Sequence, residues 1–246
     1  MRFLYYNIAY ATGGPNSMPH FWMTMHRYLR RSHRHFESLR RFIHQAEADI
    51  VGVVEVDSGS FRTARNCQVK ALAEGATRHH SFYSKYHARS MARILPVLRH
   101  QGNAILSRQQ ADEQRSHFFT YGFKRLVMES KIQGVTVYLV HLALSREVRA
   151  KQLRDLVRLI GNCHDRPVIV AGDFNTRRGA AELREFIEVT GLVNANRRGL
   201  PTFPVWQPRF ELDFFLHSPL IKIDRFKVLR EVRLSDHLPL LVDFEI

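Results

Sequence analysis

Cysteine is scarce in this chain of 246 residues, with two in all, Cys67 and Cys163. A disulfide framework needs more, so both read as buried or half-buried thiols. Long apolar runs are missing too, and none reaches the ~20 residues that span a bilayer. The opening residues, Met1-Arg2-Phe3-Leu4-Tyr5-Tyr6-Asn7, lack a small-residue cleavage site and have too short an apolar core for a signal peptide. They read as a strand that begins at once, and a cytoplasmic protein is expected. Repeats, low-complexity tracts and an interdomain linker are absent, which points to one domain over 1–246. Acidic residues are outnumbered, 23 Asp and Glu against 37 Lys and Arg. The formal charge of +14 and pI near 10.4 attract polyanions, whether nucleic acid, acidic membranes or phosphorylated small molecules. The hydrophobic share is 45% and the charged share 24%, so a packed core is expected and disorder is not.

Apolar strands with polar ends recur along the chain. Residues 2–8 read as a strand with Asn7 near its end. Residues 9–31 have no clear period and form an insertion holding Phe21, Trp22, His26, Arg27, Arg30 and Arg31. Loops of that length are uncommon unless functional. Its two rings either pack the insertion, stack on bases or meet a membrane. Ser32 is placed to cap a helix over about 33–47, striped by Phe36, Leu39, Ile43 and Ala46, with Arg34, Arg40 and Arg41 on a solvated face. Ile50 to Val56 reads as a buried strand carrying one charge, Glu55, which is costly there unless paired or metal-bound. A helix is expected over 64–75, a basic strand with loops in 76–100, a strand at 103–107 and a hairpin ending at His141. Helices are expected over 146–161 and 179–190, with Gly191 ending the second. Strands are expected at 212–216, 225–232 and 240–246. Few helices and mixed strand patterns favour mixed sheets covered by helices.

The stretch Val168-Ile169-Val170-Ala171-Gly172-Asp173-Phe174-Asn175 is the most informative. Four buried-type residues run into a glycine, then a carboxylate and an amide two positions apart. On extended backbone these two project together, with Phe174 turned to the core; an Asx-turn is the plainer reading. Asn7, Glu55, His141, Asp173, Asn175, Asp213, Asp236 and His237 all stand at or beside strand ends. A set this regular suggests one shared site. Oxygen ligands without cysteine suit Mg²⁺ or Mn²⁺, and histidines beside carboxylates suit proton transfer and anion stabilisation.

Six pieces then match in order: Tyr6-Asn7-Ile8, Val54-Glu55-Val56, Val140-His141-Leu142, Gly172-Asp173-Phe174-Asn175, Leu212-Asp213-Phe214 and Ser235-Asp236-His237-Leu238-Pro239. Together they resemble the endonuclease/exonuclease/phosphatase superfamily of metal-dependent phosphoesterases. The resemblance implies a four-layer α/β sandwich, two mixed sheets face to face with helices outside. It implies Asn7, Glu55 and Asp236 at a divalent metal, Mg²⁺ or Mn²⁺. Asp173 would prepare the attacking water, with Asn175 on the phosphate. His237, oriented by Asp213, would serve a phosphate oxygen, and His141 the leaving group. His141 matches the deoxyribonuclease and sphingomyelinase branches rather than the abasic-site branch. Pancreatic-type enzymes steady that histidine with a glutamate. None stands near Gln101-Gly102-Asn103, so its partner is open. Arg125 falls where that branch has a phosphate-binding arginine. The implied activity is hydrolysis of a phosphodiester in nucleic acid or a phospholipid headgroup. The alternative is a binding module of the same fold for phosphorylated ligands.

Overall fold

Parallel pairing of two early strands sets the architecture: β1 (Arg2–Asn7) lies beside β2 (Ile50–Asp57), with Asn7 opposite Val54. The computed structural model describes residues 1–23, 33–75, 79–85 and 98–246. Around the first pair stand β3 (His79–Ser84), β4 (Gln101–Ser107), β11 (Lys222–Val228) and β12 (Leu240–Glu245), in the order β11-β12-β1-β2-β4-β3. A second six-stranded sheet has β5 (Glu113–Phe118), β6 (Leu126–Ile132), β7 (Val135–His141), β8 (Val168–Asp173), β10 (Asp213–His217) and β9 (Val193–Asn194), in that order. Its parallel pair is β7 with β8.

Strands such as Ile50–Val54 and Val168–Ala171 are apolar without alternation because both faces are covered. Between the sheets lies one apolar layer, with Phe3, Tyr5 and Ile105 meeting Val137, Leu139 and Phe215. Outside the first sheet pack α2 (His33–Gln45) and α3 (Gln68–Leu72), through Phe36, Leu39, Ile43 and Leu72. Outside the second pack α4 (Arg146–Ile160) and α5 (Arg184–Thr190), through Leu153, Leu156, Ile160 and Phe186. The result is the four-layer sandwich expected. A further short helix, α1 (Met18–Met23), lies in the insertion, whose residues 24–31 fall outside the described residues, as do Ser32 and residues 76–78 and 86–97 of the basic stretch.

Gly172 is required by contact: a Cβ there would stand 2.1 Å from the Val140 carbonyl oxygen on β7. Gly191 ends α5 in left-handed conformation, its N–H donating to Ile187 at 2.9 Å. Several expectations need correction. The helix expected over 64–75 shrinks to α3, after a 3₁₀ turn at Phe61–Thr63. The one over 179–190 is a 3₁₀ turn, Gly179–Leu183, followed by α5. β11 begins and ends earlier than expected, and the pairing edge strand β5 gave no apolar signal because half its residues are exposed. Arg40 does lie on a solvated face, paired at 3.0 Å with Glu37 and Glu74. Both cysteines are free, Cys163 buried and Cys67 partly so. No described helix is long and apolar enough to cross a membrane.

Candidate active site

The two parallel pairs bring their C-terminal ends to the same region. On the second sheet Asp173 is the register partner of His141 on one side and Asp213 on the other. Residues paired across strands point to the same face, so three candidate side chains stand in a row. From the first sheet come Asn7 at the end of β1 and Glu55 near the end of β2. The segment before β12 adds Asp236 and His237. Asn7, Glu55, Asp173, Asn175, Asp236 and His237 line one cavity of about 770 Å³. His141 and Asp213 are buried beneath this set and touch it.

Asp173 Oδ2 is the hub. Asn7 Nδ2 donates to it at 3.1 Å, His141 Nε2 stands at 3.2 Å and His237 Nε2 at 3.9 Å. Burial alone would raise this carboxyl, yet His141 and His237 overcome it and hold the acid well below the usual range. Asp173 Oδ1 accepts the Asn175 N–H at 2.9 Å. The Asx-turn therefore forms, and the site forms with it. Asn175 is not extended, since its φ is 53°, and its side chain donates to the Leu142 carbonyl at 2.9 Å while lining the cavity. Phe174 is buried in the outer core, as expected.

His237 is clamped. Its Nδ1 donates to Asp213 Oδ2 at 2.8 Å, and the Phe203 ring lies 4.8 Å from the imidazole. Thr202 Oγ1 donates to the same carboxylate oxygen at 2.6 Å. Burial pulls the imidazole down, but Asp213 and Asp173 outweigh it and carry its pKa up to about 10. His141 is pushed down, first by burial and then by the Lys124 ammonium against its Nε2. Its partners, open from the sequence, are Asp173, Lys124 and Glu55, the last at 3.9 Å.

Glu55 reaches the cavity from a β-bulge. Register shifts between Val54 and Val56, and Glu55 has φ of 58°. Lys124 Nζ lies 3.8 Å away. Burial works against ionisation, but Lys124, His141 and Lys85 lower the Glu55 pKa. Asp236 is pushed up by burial, partly relieved by His237, with Glu55 adding to the rise.

Two groups of side chains offer metal ligands. Asp173, Asp213 and His237 have ligand atoms within 4.8 Å of one another. Of these, Asp213 Oδ2 already takes hydrogen bonds from His237 Nδ1 and Thr202 Oγ1. Asn7, Glu55 and Asp236 bring oxygen-bearing side chains to the same cavity. Asn7 Oδ1 accepts the Ala9 N–H at 3.1 Å, and Asp236 Oδ1 accepts from Ser235 Oγ, also at 3.1 Å. Two like-charged carboxylates in a buried cavity fit a hard cation.

Arg125 is not among the residues lining the cavity; Lys124 beside it is. Three further contributors were not read from the sequence, and two of them, Lys85 and Thr202, gave no signal there. Lys85 donates to the Tyr10 hydroxyl at 2.5 Å, and burial brings its pKa down to about 8. Thr202 steadies Asp213. Gln152 does carry a signal, a polar side chain on the apolar stripe of α4. Fully buried, it donates to the Tyr121 carbonyl at 2.9 Å and the Lys124 carbonyl at 2.7 Å.

Solved structures share this fold over the whole chain. An endonuclease/exonuclease/phosphatase from Beutenbergia cavernae superposes with TM-score 0.75 at 19% identity, over 100% of this chain and 71% of that one. D. rerio TDP2 humanised by 14 mutations gives 0.68 at 17%, covering 100% and 99%. A mannosyl-6-phosphatase from Bacteroides thetaiotaomicron gives 0.67 at 14%, covering 100% of both. No curated protein matches in sequence. The profile of the Endonuclease/Exonuclease/phosphatase family matches residues 4–237. It therefore spans every residue of the cavity described above, and the chain belongs to the endonuclease/exonuclease/phosphatase family.

Proposed function

We propose that residues 1–246 act as one catalytic unit, a Mg²⁺- or Mn²⁺-dependent phosphodiesterase. Its substrate is a phosphodiester of nucleic acid or of a phospholipid headgroup. The observation that carries this reading is Asp173 Oδ2, held ionised at the floor of the cavity by Asn7 and two histidines. Such an oxygen takes a hydrogen bond from water and aims one of the water lone pairs at phosphorus.

Asn7, Glu55 and Asp236 would hold the cation. Bound there, it would neutralise phosphate charge and polarise the ester. Cationic His237 donates from Nε2 to a non-bridging oxygen as negative charge builds. Asp213 keeps that imidazole in place and in its charged form. Lys124 meets the phosphate where Arg125 was expected, and with His141 it serves the leaving oxygen. Asn175 lies on the phosphate side of Asp173. Phe203, Trp206 and Phe210 line the same cavity and receive the organic part of the substrate.

Asp173→Asn tests the reading, since it keeps shape and removes charge. With Mn²⁺ and bis-p-nitrophenyl phosphate, turnover is expected to fall by about two to three powers of ten with the fold intact. Turnover within a few-fold of the parent would remove Asp173 from the chemistry. Preference for p-nitrophenyl phosphate would move the assignment to monoesters. Binding of phosphorylated ligands without any hydrolysis would favour the binding-module alternative.

A further inference from the structure

Four of the ten exposed large apolar side chains among the described residues belong to the lining of this cavity or adjoin it in sequence. Met18 and Trp22 on α1 are 54% and 65% exposed. Phe123, between β5 and β6, is 84% exposed, and Leu144, between β7 and α4, is 75% exposed. Met18 and Leu144 line the cavity, while Trp22 follows Phe21 and Phe123 precedes Lys124, both of which line it. Isolated apolar residues on a surface are ordinary, but a concentration around one opening marks a contact.

The chemistry of this rim distinguishes its partner. Stacking on bases needs flat rings within a groove. Phe21 does face Trp206 there, ring centres 6.2 Å apart. Leu144 and Met18 cannot stack, and Trp22 and Phe123 point to water instead. Aliphatic and aromatic side chains gain together only by leaving water, as they do at the headgroup boundary of a bilayer. Lys124, Arg177 and Arg209 line the same opening, and the chain carries a formal charge of +14. Cations beside inserted apolar groups match a surface of anionic phospholipid. The rim is also preformed. Gln152 holds the Tyr121 and Lys124 carbonyls, and Arg149 Nη1 donates to the Ala143 and Leu144 carbonyls, both at 2.9 Å.

We infer that this rim docks the protein on an anionic phospholipid surface, with the cavity opening toward the headgroups. That a headgroup phosphodiester is then the substrate rests on the phosphodiesterase reading; the docking does not.

The experiment is co-sedimentation of the full chain with two kinds of vesicle, phosphatidylcholine alone and phosphatidylcholine mixed with phosphatidylserine. Binding is expected to the mixed vesicles only and to weaken at high salt. Trp22→Ser and Phe123→Ser, both outside the cavity lining, are each expected to weaken partitioning about tenfold. Hydrolysis of bis-p-nitrophenyl phosphate by these variants is expected to be unchanged. Parent protein that ignores the mixed vesicles overturns the inference, as do variants that bind them equally well. So does a parallel plasmid-DNA assay in which the variants lose DNA binding but keep vesicle binding. Docking without any hydrolysis would leave this inference standing and remove the catalytic one.

Discussion

Glu55 enters the cavity because β2 carries one residue more than β4 can pair. A bulge re-aims the extra side chain at the cost of a left-handed backbone, and such local strain persists where surrounding structure enforces it. Asn175, also left-handed, is the second case, and its Asx-turn fixes the carboxylate it follows. The sequence shows that Glu55 and Asn175 belong to a site, through a charge in a buried run and an amide after a strand. It does not show the bulge or the turn, because both depend on register with a neighbouring strand. Lys124 rather than Arg125 lines the cavity for a related reason: adjacent residues on irregular backbone exchange places with a small rotation. At this scale Asp213→Asn is the sharpest probe after Asp173. It leaves Thr202 an acceptor but weakens the charge that keeps His237 protonated. Turnover should fall about a hundredfold with circular dichroism unchanged. A loss under threefold would show that the His237–Asp213 pair does no catalytic work.

Among elements, α4 does more than cover the second sheet. Its apolar stripe was legible as Leu153, Leu156, Val157 and Ile160. One turn earlier on that face, Arg149 and Gln152 replace apolar residues and hold the two rim loops. Gln152→Leu is expected to leave the Ala143 N–H and the Tyr121 and Lys124 carbonyls unpaired. A cost of about 1–3 kcal/mol follows, measured by urea unfolding. Activity should fall too, through misplacement of Lys124, and a stable variant with full activity would separate the loops from the site. A milder case is β1 against β12. Arg2 Nε donates to Asp243 Oδ1 at 2.7 Å, and that hydrogen bond lowers the Asp243 pKa. A depressed carboxyl adds stability above its unfolded pKa and loses it as pH falls through the folded one. Asp243→Asn should cost less than about 1 kcal/mol at neutral pH, given partial exposure. The gap to the parent should close in acid, below the usual carboxylate range. A gap independent of pH would assign the effect to packing instead.

For the whole molecule, layers were readable and edges were not. Continuous apolar strands and two amphipathic helices announce sheets covered by helices, and the family resemblance supplied the four-layer sandwich. Edge strands such as β5 and β9 gave little signal, since half-exposed pairing tolerates polar residues. The site was legible because its residues follow strand ends, and strand ends in two facing sheets converge. A metal held by Asn7, Glu55 and Asp236, as proposed, should act on the fold as well as on the reaction. Protein freed of divalent ions is expected to melt several degrees lower than with saturating Mg²⁺ or Mn²⁺, since ~100-fold excess over Kd adds about 2.7 kcal/mol. Glu55→Gln should remove most of that shift, and an unchanged shift would place the cation elsewhere.

The pairing of β1 with both β2 and β12 has a consequence for biosynthesis. Met1 donates its amino group to the Phe244 carbonyl at 2.7 Å, so strands some 240 positions apart share one ladder. On the ribosome β1 can find β2 early, but its other flank stays unpaired until residues 240–245 emerge, on the order of tens of seconds later. During that interval an open apolar strand is exposed to its neighbours on the polysome. Nascent chains halted before β12 should therefore be held by chaperones, and release should coincide with synthesis of the closing strand.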